Sequence, residues 1–212
     1  QSGIALSCER MGADVLILPD DPRAGDIDFI FTGISRMVYM NKNVIDGKLP
    51  MEDIEAITPQ FFLETLPEKG CCNTDLQVRI VGFDFQTDFI LKPWFKINNI
   101  KNFTGNDIIK GSKINSFVKQ TLILNNLFRV AGVLYPTGTG MDDSVFISIE
   151  KARAMAKKSF SPAVFNNCNV ENLVTSYLIK LKNGADAESF LKKCKDSRIN
   201  ARIVSVSKTR LD

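Results

Sequence analysis

The sequence predicts an α+β fold with mixed sheets, divided into two lobes. The middle of the chain carries strand-like alternation and few helical patterns, whereas both ends combine strands with helices. The last segment has the pattern strand, helix, strand, and such units join parallel strands by right-handed crossovers. With 212 residues, the chain can form one large domain or two small lobes, each with its own core.

The first quarter of the chain predicts a buried strand, a second strand and a short helix or turn. Ala13 to Leu18 is a compact apolar run that ends at Pro19, which is typical of a buried strand. The stretch from Ser35 to Met40 is strand-like. The segment from Asn41 to Leu49 then begins with a good N-cap residue and has a glycine near its end.

Two further strands follow, and one of them contains a proline. Pro59 cannot donate to a ladder, so we expect Ile54 to Leu66 to be an edge or bulged strand. Leu76 to Phe83 alternates cleanly between apolar and polar residues. This alternation predicts Leu76, Val78 and Ile80 on one face and Gln77 and Arg79 on the other.

The centre of the chain predicts three strands: Asp107 to Lys110, Lys119 to Leu124 and Leu127 to Leu134. The pair Asn125-Asn126 joins the last two strands. Because asparagine tolerates positive φ, this pair favours a two-residue hairpin turn.

The last third predicts alternating strands and helices: strand 145–147, helix 148–158 capped by Ser148, linker 159–172, strand 174–181, helix 186–195 and strand 201–206. The most basic run, Lys151 to Lys158, has apolar residues at helical spacing. We interpret it as the solvated face of an amphipathic helix rather than as a site for an anionic ligand.

Charge and composition exclude several classes of protein. The net charge is only +3, with 27 basic and 24 acidic residues interspersed, so we expect no nucleic-acid partner. The chain has no histidine, which removes the usual general base, the commonest metal ligand and every nucleophile pair that needs an imidazole. We therefore predict a protein that is not an enzyme, with no catalytic, cofactor-binding or metal-binding residues.

Five cysteines leave at least one thiol free or paired between chains. The adjacent Cys71 and Cys72 can bond to each other only in a strained ring, so a bond from one of them to distant Cys168 or Cys194 is geometrically easier. Buried, reduced cysteines are the alternative. A zinc site is disfavoured, because Cys-Cys without a second spaced pair or a histidine does not match zinc-ligand spacing.

Two polar segments resemble ligand sites only superficially. Thr137 to Asp143 lacks the Gly-Lys-Ser/Thr ending of a P-loop, so a tight turn that uses glycines for positive φ is favoured. Asp84 and Asp88, like Asp142 and Asp143, are too sparse for calcium, and we expect them to cap loops.

Seven aromatic residues cluster around the central strands: Phe61, Phe62, Phe83, Phe85, Phe89, Trp94 and Phe95. Core packing accounts for most of them. An exposed subset would form a surface for a partner or a lipophilic ligand.

No window reaches the roughly 18 apolar residues of a membrane-spanning helix, so we expect the chain itself to be soluble. It begins at Gln1 without an initiator methionine and stops at Asp212 without a stop signal. Both ends predict a piece of a longer protein.

Several segments, in this order, resemble a known family: RMGADVLILP, TPQFFLETL followed by CC, VRIVGFDFQTDFILKPW, DIIKGS, FRVAGVLYPTGTGMDDSVFIS and SYLIKLKNGAD. They are similar to the MacB-like periplasmic core domain of FtsX-like ABC transporter permeases. The similarity covers nearly the whole chain, and VGFD, TDF and PW followed by GVL and TGTGMD are specific for one permease subgroup.

The resemblance implies a fold, a place and a set of partners. It implies a porter-like lobe from both chain ends, residues 1–70 and 141–212, and a β-rich distal lobe from residues 71–140. It places the domain outside the membrane, periplasmic or extracellular, between transmembrane helices 1 and 2. It also implies a cytoplasmic ATPase subunit, a second permease copy, an extracytoplasmic adaptor or cargo protein, and a role in mechanical coupling.

Two other classes of function remain as alternatives. A free-standing solute-binding protein would need a lined cleft between lobes. A thiol-redox protein using Cys71 and Cys72 would be expected to show a C-x-x-C spacing at a helix N-terminus, which is absent. In an extracytoplasmic protein, oxidation is favoured, and we expect at least one disulfide from Cys71 or Cys72 to a distant cysteine, Cys168 or Cys194.

Overall fold

Nine strands of the described residues form one mixed sheet, to which the other described elements are attached. The computed structural model describes residues 12–24, 37–64, 78–95, 103–115 and 119–206. The sheet contains β1 (Val15–Leu18), β3 (Ile54–Glu64), β4 (Arg79–Phe83), β5 (Asp107–Lys110), β6 (Gln120–Ile123), β7 (Asn126–Val133), β8 (Ser144–Ser148), β10 (Ser176–Leu181) and β11 (Arg202–Ser205). Its spatial order is β11-β1-β10-β3-β4-β8-β5-β7-β6, and β2 (Met40–Asn41) pairs with β9 (Leu173–Val174) in a separate ribbon.

Two α-helices lie in the last third of the chain: α1 (Ile149–Ser159) and α2 (Ala187–Asp196). The Ser148 Oγ accepts from the Lys151 amide at 3.2 Å, and the Asp186 carboxylate accepts from the Ser189 amide at 2.8 Å. Each cap satisfies a backbone donor that the first turn leaves open. The two helices, the cap at Ser148 and the α+β class are therefore confirmed.

The strand-helix-strand unit at the end of the chain has another strand inserted into it. β10 and β11 both run antiparallel to β1, which lies between them. The two are parallel to each other, as predicted, but are not neighbours.

The buried strand predicted near the chain start is confirmed. All four residues of β1 are inaccessible, since side chains of a strand alternate between its faces and both faces are covered. Val15 and Ile17 pack with Phe190 and Cys194 of α2, whereas Leu16 and Leu18 pack with the segment that follows β4.

The first helix lies directly on the middle of the sheet. A Cβ placed at Gly82 of β4 would be 2.6 Å from the Ala152 Cβ of α1. Only glycine therefore permits this close approach. The basic run Lys151 to Lys158 belongs to α1, whose buried residues are Ile149, Ala152, Met155 and Ala156. Lys157 and Lys158 are exposed, which confirms an amphipathic helix with a solvated face.

The prediction of an edge position for β3 is wrong, because this strand lies between β10 and β4. The alternative, a bulged strand, is confirmed, because β3 has one extra residue opposite Lys180 and Leu181, although this position is away from Pro59. The Gln60 carbonyl accepts from the Thr175 amide at 2.8 Å on the β10 side. The backbone N–H and C=O groups of successive residues point to opposite edges of a strand, so the Pro59 nitrogen faces β4. The last residue pair between β3 and β4 is Gln60 with Phe83, so Pro59 lies one residue beyond that ladder. The proline therefore costs no ladder bond.

Two finer strand predictions also need correction. The hairpin turn is formed by Leu124 and Asn125, with φ of 45° and 57°, one residue earlier than predicted, so Ile123 pairs with Asn126. Arg79 was expected on a polar face, but every residue of β4 is buried. The strand-like pattern at residues 35–40 falls partly outside the described residues. Of its described part, residues 37–40, only Met40 belongs to a strand.

Strands from the two chain ends lie towards one edge of the sheet, and strands from the middle of the chain lie towards the other edge. β1, β10 and β11 lie at one side, and β5, β6 and β7 at the other. β8 comes from the last third of the chain but lies between β4 and β5. The division into lobes at residues 1–70, 71–140 and 141–212 stays a prediction.

Candidate functional site

The described chain enters and leaves the sheet at one point. The Val206 amide donates to the Asp14 carbonyl at 2.9 Å, and the Asp14 amide donates to the Ile179 carbonyl at 2.9 Å. The Asp14 carboxylate also accepts from the Leu181 amide at 2.9 Å. These bonds join the start of β1, the end of β10 and the end of β11, so we call Asp14, Leu181 and Val206 the junction.

The segment 84–95 runs over the face of the sheet opposite α1, and we call it the aromatic segment. Its buried members Ile90, Leu91 and Phe95 pack with Leu16, Phe62 and other residues of the sheet. Phe95 bridges to Leu134 at the far end of the segment. The segment therefore forms part of the core and is not a free loop.

Two aspartates shape the aromatic segment, as the sequence predicts. Asp84 accepts from the Gln86 amide at 2.8 Å and the Thr87 hydroxyl at 3.0 Å. The buried Asp88 carboxylate accepts from the amides of Ile90, Leu91 and Lys92 at 3.0 to 3.3 Å. Burial raises the pKa of Asp88 to about 6, although these amides oppose the shift. Both aspartates cap turns and present no carboxylate pair for catalysis.

The aromatic residues divide into a buried set and a half-buried set. Phe61, Phe62, Phe83 and Phe95 are buried, which confirms that core packing accounts for most of the cluster. Phe85, Phe89 and Trp94 are half-buried. Phe85 stacks on Phe103 with ring centroids 5.3 Å apart, and the Lys92 Nζ lies 5.4 Å from the Phe85 centroid. None of the seven rings is exposed, so the expected exposed subset is reduced to these three half-buried rings.

The segment from Thr137 to Asp143 is a turn held together by Asp142, and the Lys113 amide also donates to the Asp142 carbonyl at 3.0 Å. The Asp142 carboxylate accepts from the Thr137 amide and hydroxyl at 2.8 and 2.9 Å and from the Gly138 amide at 2.9 Å. Burial raises the pKa of Asp142, but these hydrogen bonds lower it more, so the net shift is downward. Gly138 has φ of 72°, which confirms the predicted use of a glycine in a tight turn. The amides that could cradle a phosphate are already occupied, namely those of Thr137, Gly138, Thr139 and Met141.

The sequence matches no protein-family model and no curated protein. Solved structures that match this chain include the following two. The periplasmic region of MacB from Actinobacillus actinomycetemcomitans has a TM-score of 0.60 at 10% identity, over 95% of this chain and 93% of that chain. The extracellular domain of the noncanonic ABC-type transporter YknZ from Gram-positive bacteria has a TM-score of 0.48 at 11% identity, over 91% of this chain and 99% of that chain.

This chain has the fold of the periplasmic region of MacB. The MacB-like fold class that the sequence resemblance implies is thereby confirmed, and the two-lobe division stays a prediction. Among the described residues, no helix of this MacB-type fold is long and apolar enough to cross a membrane.

Arg79 is a buried group of the MacB-type fold that sequence reasoning missed. Its Nε donates to the Ser144 Oγ at 2.8 Å, and its guanidinium carbon lies 5.1 Å from the Phe62 ring centroid. Burial lowers the pKa of Arg79 to about 10, with a smaller opposing effect from Asp143. Strand alternation predicts on which face a residue lies but not whether that face is covered, so it gave no signal for this burial.

The predicted disulfide stays a prediction. Cys71 and Cys72 lie outside the described residues, and the structure gives Cys168 as an exposed free thiol and Cys194 as a buried one. Burial raises the pKa of Cys194 to about 11, so this thiol is protonated near neutral pH. Within the described ranges, no three Cys, Asp or Glu side chains converge as metal ligands would.

Proposed function

We propose that this chain is the extracytoplasmic domain of an FtsX-like, MacB-like ABC transporter permease, lying between transmembrane helices 1 and 2 of the full protein. It acts as a non-catalytic module that passes movement of those helices to partners or cargo outside the membrane. Its partners are a cytoplasmic ATPase subunit, reached through the transmembrane parts, a second permease copy, and an extracytoplasmic adaptor or cargo protein.

The observation that carries this proposal is the junction. Because the Val206 amide bonds to the Asp14 carbonyl, the segments that flank the described chain start side by side. Two membrane helices attached there would act on the same two strands, β1 and β11. A movement of either helix would then reach the whole sheet through the ladder of β1 with β10 and β11.

The strand at the junction is well suited to transmit a displacement. β1 is hydrogen-bonded on both edges and buried on both faces. A close-packed core transmits strain and does not absorb it, because interiors have low compressibility. The half-buried rings of Phe85, Phe89 and Trp94 lie elsewhere on the domain and offer contact area to a partner.

The absence of catalysis is part of the proposal. The chain has no histidine. Asp84, Asp88 and Asp142 are engaged as turn caps, whereas Asp143, which was also expected to cap a loop, pairs with Lys113. A carboxylate that already accepts two or three internal hydrogen bonds is poorly placed to serve as a general base.

Labelling from outside the cell tests the location. We would replace the native cysteines, place one cysteine at the exposed Lys158, and treat intact cells that make the full-length protein with a membrane-impermeant maleimide. The proposal predicts labelling before lysis. A cytoplasmic protein with an exposed cysteine serves as the control and should be labelled only after lysis. If the Lys158→Cys protein behaves like that control, the proposed location is wrong.

A further inference from the structure

A groove of about 710 Å³ lies between α2 and β11, away from the aromatic segment. Its described wall on the helix side extends from Glu188 to Arg198, and its wall on the strand side extends from Ala201 to Ser205. At 1.5 Å per helical residue, the groove is about 15 Å long. An extended peptide of four or five residues has this length.

The rim of the groove carries unneutralised positive charge. Lys192, Lys195 and Arg198 are exposed, and among the described residues none of them has a side-chain hydrogen bond or an ion pair. Glu188 is the one acidic side chain among the described lining residues.

A lysine on another side of the same helix shows the contrast. Lys193 bonds to Asp53 at 2.6 Å and to Glu52 at 3.2 Å. The helix therefore has one neutralised side, which faces the residues before β3, and one side whose cations have no acidic partner in the part of the chain that the structure describes.

The floor of the groove is apolar. Leu191, Ile199 and Ile203 are half-buried there and pack against the core cluster beneath α2. A ligand that fits must combine carboxylates for the rim with small apolar side chains for the floor. An extended segment offers both, because its successive side chains point to opposite faces.

We propose that this groove docks a short, extended, acidic segment of a partner protein, with carboxylates at alternate positions. The interaction rests on charge complementarity at the rim and on apolar contact at the floor.

The place of the groove in the fold favours a protein over an anionic membrane surface. β11 runs antiparallel to β1, so Arg202 pairs with Leu18 at the end of the strands opposite the junction. Arg198 precedes β11 and lies at that far end. If the junction faces the membrane, the basic end of the groove points away from it; this step alone rests on the proposed function.

Peptide titration tests the proposal on the full 212-residue chain. The probe is a capped hexapeptide that alternates valine with glutamate, and its matched control has glutamine in place of glutamate. Binding is followed by NMR shifts of the Leu191 and Ile203 amides and by calorimetry at low and high salt. We expect the glutamate peptide alone to bind, more weakly at high salt.

Variants assign the binding to the groove. Lys192→Glu with Lys195→Glu should weaken binding at least tenfold. Lys157→Glu with Lys158→Glu on α1 makes the same charge change elsewhere and should leave the Kd unchanged. Arg198→Gln, which lies beyond the end of α2, should weaken binding about threefold, and it tests the site even if the double variant does not fold.

Four outcomes would overturn the proposal: equal affinity for the two peptides, no binding of either, an unchanged Kd in the groove variants, or binding only to phosphatidylglycerol vesicles. None of these outcomes bears on the labelling of Lys158→Cys, so the docking site and the proposed location can fail separately.

Discussion

Asp88 holds the aromatic segment in place from inside the core. Its carboxylate is 3% exposed and accepts from three consecutive amides. Burial disfavours the charged form and raises the pKa to about 6, from 3.8 for an ordinary aspartate. The folded protein therefore binds this proton more tightly than the unfolded chain does.

This difference in proton binding predicts a pH dependence. The stability that Asp88 contributes is fully present below pH 4 and is lost as the pH rises through about 6, a change of at most about 3 kcal/mol. Asp88→Asn keeps the shape but does not titrate. We expect the free energy of unfolding of the native protein, minus that of the variant, to fall between pH 4 and pH 7 in urea titrations. Parallel pH profiles would show that the side chain does not titrate in this range.

Arg79 is expected to matter through its burial. Truncation by Arg79→Ala removes the bond to the Ser144 Oγ and the contact with the Phe62 ring, and it leaves a cavity at a buried position. We predict a loss of about 2–4 kcal/mol in the free energy of unfolding, measured by urea denaturation. Lys113→Ala, which removes an exposed ion pair with Asp143, should cost less than about 1 kcal/mol. Equal losses would contradict the structure around Arg79.

The contact between α1 and β4 depends on two small residues. A methyl group at Gly82 would collide with the Ala152 side chain and come within 3.2 Å of backbone atoms on either side. Helix and strand would therefore have to move apart. We predict that Gly82→Ala lowers the free energy of unfolding by about 1–3 kcal/mol.

A compensating change tests the cause of this loss. Ala152→Gly removes the methyl group that the new side chain would meet, so adding it to Gly82→Ala should cost less than adding it to the native protein. Gly105→Ala is the control, because a Cβ there meets no atom within 4 Å. Strict additivity of Gly82→Ala and Ala152→Gly, measured by urea denaturation, would exclude the collision as the cause.

At the level of elements, local chemistry could be predicted and lateral placement could not. The cap at Ser148 depends on residues next to each other in sequence, and it was predicted correctly. The position of β3 depends on strands that are distant in sequence, so Pro59 alone could not distinguish an edge strand from a central strand whose neighbour ends early. The hairpin turn was placed one residue late, because Asn125 and Asn126 both tolerate the turn geometry.

For the whole molecule, the pattern of strands and helices predicted the α+β class but not the continuous sheet. Nothing local specifies that β8 lies between β4 and β5, since that pairing joins segments about 60 and 35 residues apart along the chain. The resemblance to a permease domain predicted the MacB-like fold, whereas periodicity predicted only the α+β class. The groove between α2 and β11 was missed, because its two walls are assembled only after β1 pairs with β11.

The arrangement of the junction follows from these pairings and carries the proposed function. Asp14 and Val206 are hydrogen-bonded neighbours, so their Cα atoms lie about 5.5 Å apart. One further peptide bond adds at most about 3.8 Å to this distance. Asn125, at the β6–β7 turn, is separated from β11 by eight strand spacings, more than about 30 Å.

Cross-linking at the junction tests the central claim most directly. In a folded protein whose five native cysteines are replaced, cysteines at Asp14 and Ser207 should be joined rapidly by a bismaleimide that spans about 10 Å. The pair Asn125→Cys with Ser207→Cys should not react within one molecule. Intramolecular cross-linking of the first pair alone, read by mass spectrometry, is the result that a shared point of entry and exit predicts. If the first pair fails to cross-link in the folded protein, the junction and the path of movement through β1 and β11 are both wrong.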